Sequence, residues 1–221
     1  MSPLVKICGL STLDTLDAAL EAGADMVGFV FFSPSPRNIS FEAAQALAGH
    51  VKRKARKVAL TVDADDALLE KIIETLKPDM LQLHGHETPE RVAAIRESFG
   101  LPVMKVLPVD TQADLAAIPD YTRVADRLLF DARPPHGATR PGGLGKPFDW
   151  HLLENLDLSI PFMLSGGLHA DNVAEALRIA KAGGVDVSSG VESAPGVKDP
   201  DKIRAFIQAA RASQANGMPV G

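Results

Sequence analysis

The chain has 221 residues, 46% of them hydrophobic, a single cysteine and a formal net charge of -5. That length and apolar content suit one large core, a single α/β barrel or one doubly wound domain, and argue against a two-domain split. The acidic balance gives no reason to expect a nucleic-acid partner, the lone cysteine excludes an intramolecular disulfide and fits a reducing compartment, and no window approaches a membrane span. The N-terminus has no basic segment followed by an apolar one, so a cytoplasmic location is expected.

Leu4 to Cys8 reads as a short strand that stops at Gly9, and Ser11-Thr12-Leu13-Asp14 signals the start of a helix running to Gly23. Met26 to Phe31 is apolar almost throughout, as expected of a parallel strand covered on both faces. The loop Ser33 to Asn38 is too rich in proline to be helical. A helix from Phe41 leads to a third strand, Val58 to Val62, and Asp65 to Leu76 forms the next helix. The basic run Lys52 to Lys57 falls between helix and strand, which on a barrel is the face opposite the active site.

Met80 to Leu83 is the fourth strand, ending in His84-Gly85-His86, and Thr88-Pro89-Glu90 opens a helix that Gly100 closes. Val103 to Leu107 and Arg127 to Asp131 are strands five and six, separated by a weak helical pattern over Gln112 to Ile118. The segment Ala132 to Pro147 holds four prolines and four glycines, is too long for a plain connector, and is expected to close over a substrate. A short helix over Asp149 to Leu156, a strand from Phe162, a helix over Asp171 to Ala182, a strand from Val185 and a helix from Asp199-Pro200 complete the count. Eight alternating units with short αβ turns predict a single (βα)8 TIM barrel of eight parallel strands over residues 1–214, with a frayed tail over 215–221.

The last two strands end alike, in Ser165-Gly166-Gly167 and Ser188-Ser189-Gly190. Such turns leave backbone N–H groups uncovered, and a following helix adds the positive end of its dipole, so an anion is held without any lysine. That is where an eightfold β/α barrel keeps a phosphate.

Chemistry in this fold sits at the C-terminal ends of strands, which here carry Cys8, His84 and Asp131, with Asp63 and Arg37 nearby. Taken alone, Cys8 reads as a small buried hydrophobe, but it is the last residue of its strand and shares a face with Lys6. To act as a base it must become a thiolate, which needs an electropositive setting. Asp131, a carboxyl above an apolar run, suits acid catalysis. Arg37, in a proline-stiffened loop, is placed to meet a carboxylate with its planar fork. His84 and His86, two apart with no third ligand nearby, are a weak metal signal, and no metal is expected.

Lys6-Ile7-Cys8-Gly9, Ser35-Pro36-Arg37, Leu81-Gln82-Leu83-His84-Gly85, Phe130-Asp131-Ala132, Gly142-Gly143-Leu144-Gly145, Phe148-Asp149-Trp150, Leu164-Ser165-Gly166-Gly167-Leu168 with Asn172-Val173, and Asp186-Val187-Ser188-Ser189-Gly190-Val191-Glu192 with Pro195-Gly196 stand in one order. In that order they resemble the phosphoribosylanthranilate isomerases of tryptophan biosynthesis along nearly the whole chain. The resemblance implies a cofactor-free Amadori rearrangement of N-(5-phosphoribosyl)anthranilate to 1-(2-carboxyphenylamino)-1-deoxyribulose 5-phosphate. Asp131 would be the general acid and Cys8 the general base. Arg37 would orient the anthranilate carboxylate, while Gly166, Gly167, Ser189 and Gly190 would hold the phosphate through backbone N–H groups. His84 matches a position near the aryl ring, with no proton-transfer role assigned. The partner expected is this small phosphoribosyl molecule, and the oligomeric state is a monomer or homodimer.

Three rival readings stand beside this one. A histidine-pathway isomerase of similar chemistry should show aspartate where Cys8 stands, together with two half-barrel repeats. An aldolase needs a Schiff-base lysine, and Lys105 lies within strand five on no obvious pocket edge. A phosphosugar-binding barrel without catalysis leaves Cys8 and Asp131 unexplained.

Overall fold

A computed structural model of the chain describes residues 2–134, 137, 141–143 and 147–213. The tail 215–221 lies outside them, as do 135–136, 138–140 and 144–146 of the loop expected to close over a substrate. Eight parallel strands close on one another in chain order. They are β1 (Leu4–Cys8), β2 (Met26–Phe31), β3 (Arg56–Thr61), β4 (Met80–Leu83), β5 (Val103–Val109), β6 (Arg127–Ala132), β7 (Phe162–Leu164) and β8 (Gly184–Val187). β1 completes the ring by pairing with both β2 and β8. The helices outside it are α1 (Leu13–Glu21), α2 (Phe41–Val51), α3 (Asp66–Leu76), α4 (Pro89–Phe99), α5 (Ile118–Tyr121), α6 (Val173–Ala180) and α7 (Pro200–Ala212).

The helix starts follow local chemistry. Thr12, Ser40, Asp65, Thr88 and Asp199 each cap a helix by accepting from a backbone N–H in its first turn. α4 ends on Gly100 at φ +62, a left-handed stop that glycine adopts without strain.

Alternation along the strands makes two cores. Residues such as Val5, Ile7, Phe29, Leu81, Leu83, Leu128 and Phe130 point outward and pack beneath the helices. Met26, Val58, Met80, Met104, Val106, Leu129 and Met163 point inward and fill the barrel floor. Eight strands leave an interior just wide enough for such filling, and each fully buried side chain of this size contributes roughly 1.5–3 kcal/mol. Above the floor the interior turns polar, with Lys6, Gln82, Asp131 and Asp186 all buried there. The floor is therefore a plug, and chemistry is confined to the end of the barrel where the strands stop.

Several boundaries differ from the sequence expectation. The weak pattern after β5 is a 3-10 helix, Gln112–Ala117, continued by the single turn of α5. The helix expected over Asp149 to Leu156 shrinks to a 3-10 turn, Trp150–Leu153, in a short segment where Asn155 has low helix propensity. α6 begins at Val173 rather than Asp171 and stops at Ala180, where Lys181 turns left-handed. An unforeseen hairpin, β9 (Glu192–Ala194) and β10 (Val197–Lys198), follows β8. Pro195-Gly196 makes its turn, with Gly196 at φ +83 as a type II turn demands. Its tip rests on the arginine loop, since a Cβ at Gly196 would stand 2.5 Å from the Pro36 carbonyl oxygen.

Candidate active site

The thiol of Cys8 sits above a buried ion pair. Lys6 lies opposite Asp186 in the β1–β8 register, and its Nζ donates to Asp186 Oδ1 at 2.9 Å, with the lysine side chain fully buried. Both Lys6 and Cys8 lean over the bare backbone of Gly28, where an added Cβ would be 2.9 Å from Cys8 Sγ and 3.1 Å from Lys6 Nζ. A side chain at Gly28 would push thiol and ammonium apart. Burial pushes the Cys8 thiol above its ordinary value; Lys6 pulls it back, and Asp186 opposes Lys6. The thiol form therefore prevails near neutral pH: Lys6 and Lys198 supply the electropositive setting the sequence reading asked for, but burial outweighs them. Burial alone would lower the Lys6 ammonium, but Asp186 and Cys8 outweigh it and keep it charged.

Across the barrel, Asp131 at the end of β6 faces His84 at the end of β4. His84 Nε2 lies 3.2 Å from Asp131 Oδ2, close enough for attraction. The ring N–H is out of line, however, and the buried Nε2 makes no hydrogen bond. The other carboxylate oxygen, Oδ1, accepts from the Ala132 backbone N–H at 2.9 Å. Gly142 covers this pair, for a Cβ there would strike Asp131 Oδ2 and lie 2.9 Å from the imidazole. His84 therefore belongs beside the acid, a placement that strand counting did not reveal.

Arg37 does not present an open fork. Its Nε and Nη2 donate to Glu192 Oε1 and Oε2 at 2.7 and 2.9 Å, and Nη2 also reaches the Gly143 carbonyl at 3.3 Å. Only Nη1 has no partner among the described residues, so the two-pronged contact expected for a carboxylate becomes a single one. Glu192 also accepts from Lys198 Nζ at 2.7 Å, and all three side chains are buried. Burial alone would raise the Glu192 carboxyl, but Arg37 and Lys198 hold it below its ordinary value.

The two serine-glycine turns close the remaining side. Gly166 and Gly167 have φ of +86 and +66, a backbone only glycine adopts freely, and a Cβ at Gly166 would be 2.6 Å from the Ala132 nitrogen. Gly190 is pressed so closely on the Leu168 carbonyl that no side chain fits. α6 starts six residues beyond Gly167, at Val173, so its dipole does not follow directly on the first turn as expected. Asn172 instead holds the Gly167 carbonyl at 3.0 Å. The second turn runs straight into a 3-10 turn, Ser189–Val191. Cys8, Arg37, His84, Asp131, Gly166, Gly167, Ser189 and Gly190 all line one cavity of ≈ 1460 Å³.

A family model described as N-(5'phosphoribosyl)anthranilate (PRA) isomerase matches residues 5–209. An N-(5'-phosphoribosyl)anthranilate isomerase of Bradyrhizobium diazoefficiens is 70% identical over 214 residues, covering 97% of this chain and 96% of that protein. The chain belongs to the N-(5'-phosphoribosyl)anthranilate isomerase family. Membership makes it an isomerase of tryptophan biosynthesis, as the motifs implied. The phosphoribosyl anthranilate isomerase of Thermotoga maritima has the same barrel at a TM-score of 0.85 and 34% identity, covering 95% of this chain and 99% of that one. Another solved family member, at a TM-score of 0.80 and 30% identity with the same coverage, holds reduced 1-(o-carboxyphenylamino)-1-deoxyribulose 5-phosphate.

Within this isomerase barrel a second lysine is hidden on the other face of the strands. Lys105 on β5 points outward and donates to Glu87 Oε2 at 2.7 Å and to the Gly85 carbonyl at 2.7 Å. Glu87 in turn accepts from the Asp63 and Gly85 backbone N–H groups. These bonds brace the loop that carries His84, and they remove Lys105 from contention as a Schiff-base lysine. Asp63 braces the same loop through the His86 N–H at 2.6 Å. Sequence reasoning missed Glu87, Asp186 and Lys198. Strand parity from Lys6 and Ser188 would have turned Asp186 inward, and the unused turn signal Pro195-Gly196 would have pointed to the hairpin that carries Lys198; nothing local marked Glu87.

Proposed function

We propose that this chain isomerises N-(5'-phosphoribosyl)anthranilate with Asp131 as general acid and Cys8 as general base, within a single catalytic domain over residues 1–214. The supporting observation is that a carboxyl and a thiol, from opposite sides of one barrel, line the same cavity as two phosphate-sized glycine turns. With the phosphate held by N–H groups around Gly166, Gly167, Ser189 and Gly190, the sugar is tethered at the end that does not react. Arg37 offers its remaining Nη1 to the anthranilate carboxylate. The apolar strip of Val30, Leu60, Phe32 and Val62 beside Cys8 gives the aromatic ring a dry wall.

The proton balance needs nothing from outside. Asp131 gives a proton to the furanose ring oxygen, the C1–O bond breaks, and the nitrogen lone pair forms a Schiff base at C1. Cys8 as thiolate takes the proton from C2, and the electrons of that C–H bond neutralise the iminium to an enolamine. Tautomerisation delivers the ketone. In that last step C1 gains a proton and the C2 hydroxyl loses one, so the formula is unchanged, and return of the proton on Cys8 to Asp131 resets the pair, so acid and base suffice. Burial makes the Cys8 thiolate scarce but strongly basic, which suits a proton on carbon.

One barrel carries the whole constellation, so a monomer and a homodimer are both competent, and light scattering on the purified chain decides between them. Among the described residues no helix is long and apolar enough to cross a membrane, and a cytoplasmic enzyme is the reading that suits its lone unpaired cysteine. The function is tested by mixing the protein with freshly made N-(5'-phosphoribosyl)anthranilate and following anthranilate fluorescence. The parent should turn over, and Cys8→Ala and Asp131→Asn should each lose about two to four powers of ten, the usual worth of one acid or base. Binding without turnover would return the chain to the class of phosphosugar carriers; unimpaired variants would remove the acid and base assignments.

A further inference from the structure

Lys198 takes no part in the steps just described, yet it is an almost fully enclosed cation behind the second phosphate turn, with its side chain 1% exposed. Its Nζ donates to the Ser188 carbonyl at 2.8 Å, to Ser188 Oγ at 3.1 Å and to Glu192 Oε1 at 2.7 Å. Three acceptors call for the three donors of an ammonium; burial lowers that ammonium below its ordinary value and Arg37 adds to the fall, while Glu192 opposes both. Ser188 Oγ, having accepted from Lys198, donates its own proton to the Cys8 carbonyl at 3.1 Å. A continuous hydrogen-bonded chain thus runs from the backbone of Cys8 through the half-buried Ser188 and the buried Lys198 and Glu192 to Arg37. One end is the proposed base, the middle is the second phosphate turn, and the far end is the proposed carboxylate contact.

The charges do not balance. Among the described residues Arg37 and Lys198 are two cations sharing the one anion Glu192, while the neighbouring Lys6 is already paired with Asp186. One positive charge is left over in a buried cluster, and an unmatched buried charge is costly until an anion arrives. The anion-binding turn in front of it, Ser188-Ser189-Gly190, lines the cavity, and so does Arg37 behind the unpartnered Nη1.

Resting on the reading of function above, we propose that Lys198 is a positioning residue. From behind the Ser188–Gly190 turn it locks that turn to the Glu192–Arg37 pair, and its surplus charge makes the phosphate and carboxylate ends of the ligand bind as one coupled unit. A ligand that carries both anions satisfies the cluster at both ends; a ligand with one satisfies it in part. Lys198 touches no reacting atom, so its removal should weaken binding far more than it slows the chemical step.

The experiment compares the parent with Lys198→Gln and Lys198→Arg for kcat and KM, and for inhibition by inorganic phosphate and by anthranilate as single-end probes. The glutamine variant should raise KM about ten- to hundredfold, the worth of a charge-assisted hydrogen bond, with kcat within about threefold. Both single-end inhibitors should weaken together, and the arginine variant, which keeps the charge, should recover much of the loss. A folded glutamine variant with parental KM and parental inhibition by both probes overturns the inference. If that variant does not fold, Ser188→Ala decides, because it cuts one Lys198 link to the turn while leaving Arg37 in place. Weaker anthranilate inhibition in Ser188→Ala supports coupling between the ends, and parental anthranilate inhibition overturns it. Should the parent fail to convert the substrate, the reading of function falls, while calorimetric binding of inorganic phosphate and of anthranilate to parent and variants still judges Lys198: weaker binding of both in Lys198→Gln supports its role, and parental binding overturns it.

Discussion

Two of the barrel strands, β1 and β5, each carry a buried lysine paired with a carboxylate, and the two pairs are nearly alike in geometry. Lys6 meets Asp186 at 2.9 Å and Lys105 meets Glu87 at 2.7 Å, with every side chain 5% exposed or less. What separates them is the face of the strand. Lys6 points into the barrel beneath Cys8, whereas Lys105 points out between β5 and the β4–α4 loop, where Glu87 and two carbonyls surround its ammonium. The first pair acts on a thiol that lines the cavity; the second has its hydrogen-bonding capacity spent on holding a loop. Burial and ion pairing alone therefore do not mark a functional lysine; the group its ammonium stands beside does.

The sharpest way to break this contrast is to remove each lysine. Lys6→Met should slow alkylation of Cys8 by iodoacetamide about ten- to thousandfold, since a nearby opposite charge shifts such a group by about 1–3 pKa units. In the parent the same reaction should be slow near neutrality and still be accelerating with pH beyond the ordinary thiol value of 9.0, because burial raises the folded value. An alkylation rate that levels off below that value would mean the thiol is not raised. Lys105→Met should instead cost about 3–5 kcal/mol of stability by stranding Glu87, measured by denaturant unfolding, while turnover per folded molecule stays within about threefold. Equal losses of activity from both variants would erase the distinction drawn between the two faces.

Smaller effects sharpen it. The Glu192 carboxyl is depressed in the folded state, so its contribution to stability is present above the ordinary value of 4.5 and is lost as pH falls through the lower folded value. Melting temperature should drop on that acid limb, and Glu192→Gln, less stable at neutral pH, should show a shallower drop. At the low end, His86→Ala removes an exposed imidazole whose ion pair with Asp63 spans 3.3 Å, and it should change stability by about 0.5 kcal/mol or less.

The eightfold alternation, the helix caps and the two serine-glycine turns could be read locally, because each depends on a few neighbouring residues. Cys8 and Asp131 were legible for a related reason: a strand's last residue in this fold faces the cavity wherever its parity points inward. The weak elements after β5 and before β7 were less so, since short 3-10 turns carry no full helical period. The hairpin of β9 and β10 was passed over because two- and three-residue strands are too short to alternate.

What the chain determined by itself is thus the barrel, its floor of methionine and valine, and the identity of the groups at its mouth, all consequences of periodicity and turn chemistry. The partnerships among those groups came only from closure of the ring. Lys6 meets Asp186 across 180 residues and Arg37 meets Glu192 across 155, because β8 returns to pair with β1 and brings the hairpin against the β2–α2 loop. No local pattern carries such information, since ion pairing depends on distance in space, and here that distance is set by the last strand to join the sheet.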